Sequence, residues 1–168
     1  MQLVDLSHAV PGALIDLRYA TDRNVAGRAM YDAEFTARLD GAAARALGEA
    51  VQYFSIHNVR MLVWDAYRPK EVQDMLLRLS APAHRDTYVM QDSNHCRGHA
   101  VDVTLTSISG ELLDMGTDHD DFSSKAHVNA TDLTPEQVAN RQLLADGMQS
   151  AGFQPWPYEW WHFDYAGM

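Results

Sequence analysis

Apolar side chains recur along this sequence with two different periods, and each period predicts a type of element. Over residues 34–57 they recur every three or four positions, as on one face of an amphipathic helix. Residues 61–64 form a short apolar run, which predicts a buried strand. Residues 99–106 alternate with a period of two and are rich in β-branched side chains, which predicts a second strand.

Residues that start and stop elements divide the rest of the chain. Pro69 can open a helix over the next turns, and Thr134 with Gln137 forms a capping box ahead of a last long helix that ends near Gly152. Residues 80–98 have no helical period and predict a long loop, and residues 158–165 predict an aromatic strand. The order of elements predicts one α+β domain over residues 1–168, with a mainly antiparallel central sheet and long helices packed on one side.

Composition narrows the class of protein. Apolar residues make up 46% and charged residues 21% of the chain, which is typical of a soluble globular domain. The formal charge of −10 argues against nucleic acid and anionic membrane surfaces as partners. No apolar run reaches the roughly 20 residues of a membrane span, and the N-terminus lacks the pattern of a signal peptide. We therefore expect a cytoplasmic protein; the oligomeric state is not predicted, and the single Cys96 excludes an internal disulfide.

Two short stretches carry residues that bind metals. His95 and Asp102 flank Gly98, which allows the sharp turn needed to bring them together, and Glu159 and His162 follow near the C-terminus. Two imidazoles and a carboxylate are a ligand set of catalytic zinc sites, which keep a fourth position open. In a strand over residues 99–105, His99 points away from the face of Asp102, so we expect that His99 is not a ligand. Each stretch alone is a weak signal, and their joint occurrence is a stronger one.

The motifs together resemble a known family. Ser-x-His-x-x-Gly-x-Ala-x-Asp followed at a distance by Glu-x-x-His is similar to the zinc D,D-peptidases of bacterial cell-wall metabolism. Residues 16–21, 64–69, 114–117 and 159–162 resemble the D-alanyl-D-alanine dipeptidases, the VanX-like group, and the resemblance runs from about residue 14 to 165. The chain is short for that group, and the segment between Arg68 and Ser93 looks abbreviated.

The resemblance implies a role for each site residue. It implies one zinc ion per chain held by His95, Asp102 and His162, with Glu159 as the general base and Arg68 stabilising the oxyanion. It places four further residues near the substrate, namely Ser93, Tyr19, Tyr31 and Asp120. A dipeptide substrate is a zwitterion, so we expect Asp120 to bind its ammonium group and Ser93, with nearby backbone N–H groups, to bind its carboxylate.

The implied activity is zinc-dependent hydrolysis of D-Ala-D-Ala, by a zinc-activated water, to D-alanine. One alternative is a D,D- or L,D-carboxypeptidase that acts on longer peptidoglycan peptides. Another is a zinc-binding module without activity, against which Glu159 and Arg68 argue because structural zinc requires neither.

Overall fold

The computed structural model describes residues 2–85 and 87–167. Its strands and helices, in chain order, are β1 (Leu3–Asp5), α1 (Leu6–Ala9), β2 (Leu14–Ile15), β3 (Arg38–Asp40), α2 (Gly41–Ile56), β4 (Val59–Asp65), α3 (Lys70–Leu79), β5 (Ala100–Ser107), α4 (Pro135–Ser150), β6 (Phe153–Trp156) and β7 (Glu159–Tyr165). In the part of the chain so described, every helix is too short or too polar to cross a bilayer.

The main sheet has five strands in the order β2-β4-β5-β7-β6. Only the short β2 runs parallel to its neighbour β4, and the other three pairings are antiparallel. A separate antiparallel pair of β1 and β3 lies outside this sheet. The predicted α+β class with a mainly antiparallel central sheet is therefore confirmed.

The two long helices, α2 and α4, pack against each other and against the sheet. Their buried faces, together with the apolar face of β5, form one hydrophobic core. Gly147 makes the close approach of the helices possible, because a Cβ there would lie 2.4 Å from the ring of Phe54. The shorter α3 instead borders a cleft on the molecule, to which it contributes Gln73 and Leu76.

Helix α2 begins later than its apolar pattern predicts. Asp40 caps the helix by accepting a hydrogen bond from the N–H of Ala42, so the residues before Gly41 are free to pair as β3. Leu39 is fully buried, as the helical pattern requires. It belongs, however, to strand β3, where it pairs with Val4. The pattern correctly identified a buried position and assigned it to the wrong element.

The other predicted boundaries are close to the observed ones. The capping box of Thr134 and Gln137 is present, and Gly152 has a positive φ of 86° just after α4. Pro69 precedes the first residue of α3 instead of occupying it. Strand β6 was not predicted because it contains Pro155; it lies at the edge of the sheet, where a strand tolerates proline.

Candidate active site

Three ionisable side chains lie in one row across the middle of the main sheet. Asp65 on β4 is opposite Asp102 on β5, and Asp102 is opposite His162 on β7. The row depends on a bulge after Val63, since regular pairing from there would place Asp65 opposite Val101. Because successive side chains of a strand point to opposite faces, the bulge turns Asp65 onto the face that carries Asp102.

His95 reaches this row from a short 3₁₀ turn, Asn94–Arg97, that ends at Gly98. Gly98 has a left-handed φ of 66°, and a Cβ there would lie 2.7 Å from Leu3 and 2.9 Å from the backbone nitrogen of Asp40. Any other residue would therefore meet both an unfavourable backbone conformation and backbone that cannot move aside. The predicted turn at Gly98 is present, and it brings His95 beside β5.

The side chains of His95, Asp102 and His162 converge on one point. His95 Nε2 lies 3.2 Å from His162 Nδ1 and 3.3 Å from Asp102 Oδ1, and His162 Nδ1 lies 3.1 Å from Asp102 Oδ1. Ligands at 2.0–2.1 Å in a zinc tetrahedron are about 3.3 Å apart. The three atoms thus form a triangle of the size that a tetrahedral zinc ion requires, and the donor set fits the metal.

The outer nitrogen of each imidazole is held by an acceptor. His95 Nδ1 donates to the carbonyl of Ala66 at 2.6 Å, and His162 Nε2 donates to Asp164 at 3.2 Å. Since a carbonyl and a carboxylate only accept hydrogen bonds, these contacts fix the tautomer of each ring. The lone pairs that remain, on His95 Nε2 and His162 Nδ1, both point into the triangle.

The electrostatics of the triangle favour a cation. Burial alone would lower the pKa of His162, because it disfavours the charged imidazolium. Hydrogen bonds with Asp102 and Asp164 nevertheless raise this pKa to about 10. Burial alone would raise the pKa of Asp102, but the adjacent imidazoles hold that pKa well below its usual range. The negative charge of the carboxylates thus dominates the electrostatics of the triangle. A metal ion can take the place of the proton on His162.

Arg68 lies beside the triangle with its guanidinium fixed on three sides. Nε and one terminal nitrogen donate to Asp65 Oδ2 at 2.9 and 2.7 Å, and the other terminal nitrogen donates to Gln73 at 2.7 Å. The ring of Tyr19 packs beneath it, 4.7 Å from the guanidinium carbon. A guanidinium has five N–H groups, so two remain free of hydrogen bonds to the described residues, and the nitrogen nearest the triangle is 3.8 Å from Asp102 Oδ2.

Glu159 lies beside His162, with its carboxylate 3.9 Å from His162 Nδ1. It is buried, and burial together with the negative charges of Asp102 and Asp120 raises its pKa to about 8, although His162 opposes the shift. A divalent cation in the triangle would lower this pKa again, because an opposite charge favours the ionised carboxylate. A carboxylate in this position can accept a proton, as a general base must.

An open cleft lies over the triangle. Tyr19, Ser93 and Asp120 line it together with the triangle, Arg68 and Glu159. Asp120, which has a left-handed φ of 59°, accepts hydrogen bonds from the Tyr19 hydroxyl at 3.1 Å and the Val25 N–H at 2.9 Å. Ser93 caps the 3₁₀ turn by accepting from the His95 N–H at 3.3 Å.

Tyr31 is the one predicted substrate residue that the structure places behind the cleft. It is buried and donates its hydroxyl to Asp65 Oδ1, whereas Arg68 donates to Oδ2 of the same carboxylate. Its contact with the site is thus indirect, through Asp65 and Arg68. His99 immediately precedes β5, and the group formed by His95, Asp102 and His162 does not include it.

Comparison with known proteins identifies the family. The family model described as D-ala-D-ala dipeptidase, Peptidase_M15, matches residues 1–168. This chain is a member of that peptidase family. It is 34% identical to the D-alanyl-D-alanine dipeptidase of Escherichia coli K12, over 97% of this chain and 84% of that protein. It is 32% identical to the D-alanyl-D-alanine dipeptidase of Enterococcus faecalis V583, over 94% of this chain and 88% of that protein.

Solved structures share the fold of this family member at lower identity. A vancomycin resistance D,D-pentapeptidase VanY in complex with Zn(II) superimposes with a TM-score of 0.53 at 17% identity, covering 82% of this chain and 78% of that one. The LD-carboxypeptidase LdcB gives 0.51 at 20% identity, over 77% of this chain and 60% of that one. The chain, a peptidase by its family, therefore has the fold of these enzymes.

Three residues of the site were not predicted from the sequence. Asp65 stood in the same motif as Arg68, and an acid that ends a buried strand three residues before an arginine is a signal that could have paired them. Gln73 lies five residues after Arg68, in the first turn of α3, and has no distinguishing neighbour in the sequence. His119 was left without a place in the site, and its contact with Asp102 comes from a loop whose path no local pattern reveals.

Proposed function

We propose that residues 1–168 form one zinc peptidase domain that hydrolyses the dipeptide D-Ala-D-Ala to D-alanine. The observation that carries the proposal is the ligand triangle of His95, Asp102 and His162, flanked by a carboxylate and by free guanidinium N–H groups. Membership of the D-Ala-D-Ala dipeptidase family, and the names of the relatives, support the choice of substrate.

The zinc ion, when bound, would act as a Lewis acid and lower the pKa of water to about 7. Glu159 would accept the proton of the attacking water and later deliver it to the amine that leaves. The free N–H groups of Arg68 would bind the oxygen of the scissile carbonyl as it gains negative charge. Asp65 and Gln73 keep those groups in place before the substrate arrives, so no reorganisation is needed during the reaction.

The cleft offers a partner to the charged amino end of a dipeptide. The carboxylate of Asp120 is held by Tyr19 and by a backbone N–H, and it would bind the ammonium group. The Ser93 hydroxyl accepts one hydrogen bond and retains its own proton, which it can donate to the substrate carboxylate. An anion fixed in this way favours a substrate with a free amino group.

A cytoplasmic location stays a prediction from the sequence.

An assay of three substrates tests the proposal. D-Ala-D-Ala, the same dipeptide with an acetylated amino group, and a pentapeptide ending in D-Ala-D-Ala are incubated with the protein, and released D-alanine is measured with and without a chelator. We expect release from the free dipeptide alone, and loss of that release when zinc is removed. Preference for the pentapeptide would instead favour the carboxypeptidase, and zinc binding without any hydrolysis would favour the non-catalytic module.

The variant Glu159→Gln is the matched control for this assay. It preserves the size of the side chain and removes the base, so hydrolysis should disappear while one zinc ion per chain remains. A variant that keeps wild-type hydrolysis would contradict the role of Glu159, and one that loses a full equivalent of zinc would show that the residue holds the metal.

A further inference from the structure

His119 is a buried histidine that the proposed reaction does not use. It lies in the loop between β5 and α4, and its side chain is fully shielded from solvent. Its ring packs edge-on against Tyr19 and Trp64, each with ring centres 5.6 Å away, and close to Trp161 at 5.5 Å. Packing on three aromatic rings leaves the imidazole little freedom to rotate.

The ring lies between two carboxylates of the site. His119 Nε2 is 3.1 Å from Asp102 Oδ2, and Nδ1 is 3.6 Å from Asp120 Oδ2. Because a carboxylate only accepts hydrogen bonds, Nε2 is the donor in the first contact. The Nδ1 atom is buried and lacks a hydrogen-bond partner among the described residues. Nε2 therefore makes the hydrogen bond that links this ring to the metal triangle.

The two oxygens of Asp102 have separate partners. Oδ1 faces the imidazoles of His95 and His162, at 3.3 and 3.1 Å, and Oδ2 accepts from His119. Arg68 is the other donor near Oδ2, but at 3.8 Å it is beyond hydrogen-bond distance. Among the described residues, His119 is therefore the side chain that holds Oδ2 by a hydrogen bond.

We infer that His119 is a positioning residue for the metal ligand Asp102, an inference that rests on the proposed zinc site. Its Nε2–H group holds Oδ2, so that Oδ1 alone is presented to the metal together with the two imidazoles. Hydrogen bonds to the far side of a metal ligand orient it, and their loss typically lowers metal affinity 10–100-fold. Without the donor, the carboxylate can turn and present both oxygens.

Two variants separate the hydrogen bond from the packing. His119→Phe preserves a ring in the aromatic pocket and removes the donor, whereas His119→Gln places an amide N–H near the position of Nε2. The zinc dissociation constant of each is measured by competition with a chromogenic chelator. We expect the affinity to fall about 10–100-fold in the Phe variant and to return to within a few-fold of wild type in the Gln variant.

A second readout and a control complete the test. The visible absorption of the Co²⁺-substituted protein reports ligand geometry, and its bands should shift in the Phe variant and return in the Gln variant. His57→Phe removes another histidine hydrogen bond, the 2.8 Å contact of Nδ1 with the Tyr53 carbonyl at the end of α2, and neither of these residues lines the cleft. That control should bind zinc as wild type does. Should the Phe variant not fold, His119→Met takes its place, since it has the length of Gln and no donor.

The outcomes distinguish this inference from the proposed function. Equal zinc affinity and equal Co²⁺ spectra in wild type and His119→Phe would overturn the inference while leaving the zinc site intact. Equal losses in the Phe and Gln variants would overturn it as well, because packing alone would then explain the effect. Failure of the wild-type chain to bind zinc would overturn the proposed function, and the inference with it.

Discussion

The substitution Asp65→Asn tests whether the buried carboxylate holds Arg68 in place. Asp65 is fully buried, and its oxygens accept two hydrogen bonds from Arg68 and one from Tyr31. Asparagine has nearly the same shape, and its amide oxygen can still accept from Arg68. The substitution therefore removes the charge and leaves a buried guanidinium without its main counter-ion, while the amide nitrogen that replaces Oδ1 requires the Tyr31 hydroxyl to turn from donor to acceptor.

The expected loss of stability is large. Removing one partner of a buried ion pair costs about 3–5 kcal/mol. Asp102, at 3.8 Å, still compensates part of the Arg68 charge, so the lower end of that range applies. For a chain of this size each kcal/mol corresponds to about 2–4 °C, so a loss of about 3 kcal/mol lowers Tm by about 6–12 °C.

Calorimetry of the metal-free protein measures this change, with chelator present so that zinc does not contribute to stability. The control is Asp74→Asn, which removes an acid from the exposed ion pair of Lys70 with Asp74 on α3. Exposed pairs contribute little, so its Tm should stay near that of wild type. Equal Tm values for the Asp65 and Asp74 variants would refute the claim that the buried pair fixes Arg68.

Three further substitutions test other parts of the site. Arg68→Lys keeps the charge but cannot reproduce the two hydrogen bonds to Asp65. The kcat for D-Ala-D-Ala should fall about 10²–10³-fold while the zinc content stays unchanged. Loss of zinc would contradict the role of Arg68 as an oxyanion-stabilising residue. His99→Ala should retain one zinc per chain by metal analysis, and release of the metal would show that the strand-face argument is wrong. Gly98→Ala should lower Tm more than Gly27→Ala, since both glycines have left-handed φ but only the Gly98 Cβ meets backbone; equal losses would mean that the contact is unimportant.

Local signals were sufficient for the elements that carry two of the proposed metal ligands, Asp102 and His95. The alternation around Asp102 gave β5, and Gly98 marked the turn that delivers His95, because each depends on a few adjacent residues. The start of α2 was misplaced because Leu39 is buried in β3 at a spacing that also suits a helix. A buried position looks the same in both elements, and only pairing with distant residues decides between them.

Parts of the site that depend on long-range pairing were beyond prediction. The bulge after Val63 places Asp65 beside Asp102, but a bulge is defined by the partner strand and has no signature in β4 itself. The hydrogen bond from Tyr31 to Asp65 was not predicted either, and a role of Tyr31 at the substrate stays a prediction. His119 reaches Asp102 across a loop of irregular structure. Such contacts follow from the packing of the whole chain.

Zinc titration with simultaneous measurement of hydrolysis tests the central claim most directly. Metal-free protein receives zinc in steps, and D-alanine released from D-Ala-D-Ala is followed at each step, for wild type and for Asp102→Ala. The account predicts that wild-type activity rises in proportion to zinc and stops rising at one ion per chain, and that the variant shows neither tight binding nor activity. Full hydrolysis in the metal-free protein, or an unchanged titration in the variant, would contradict it.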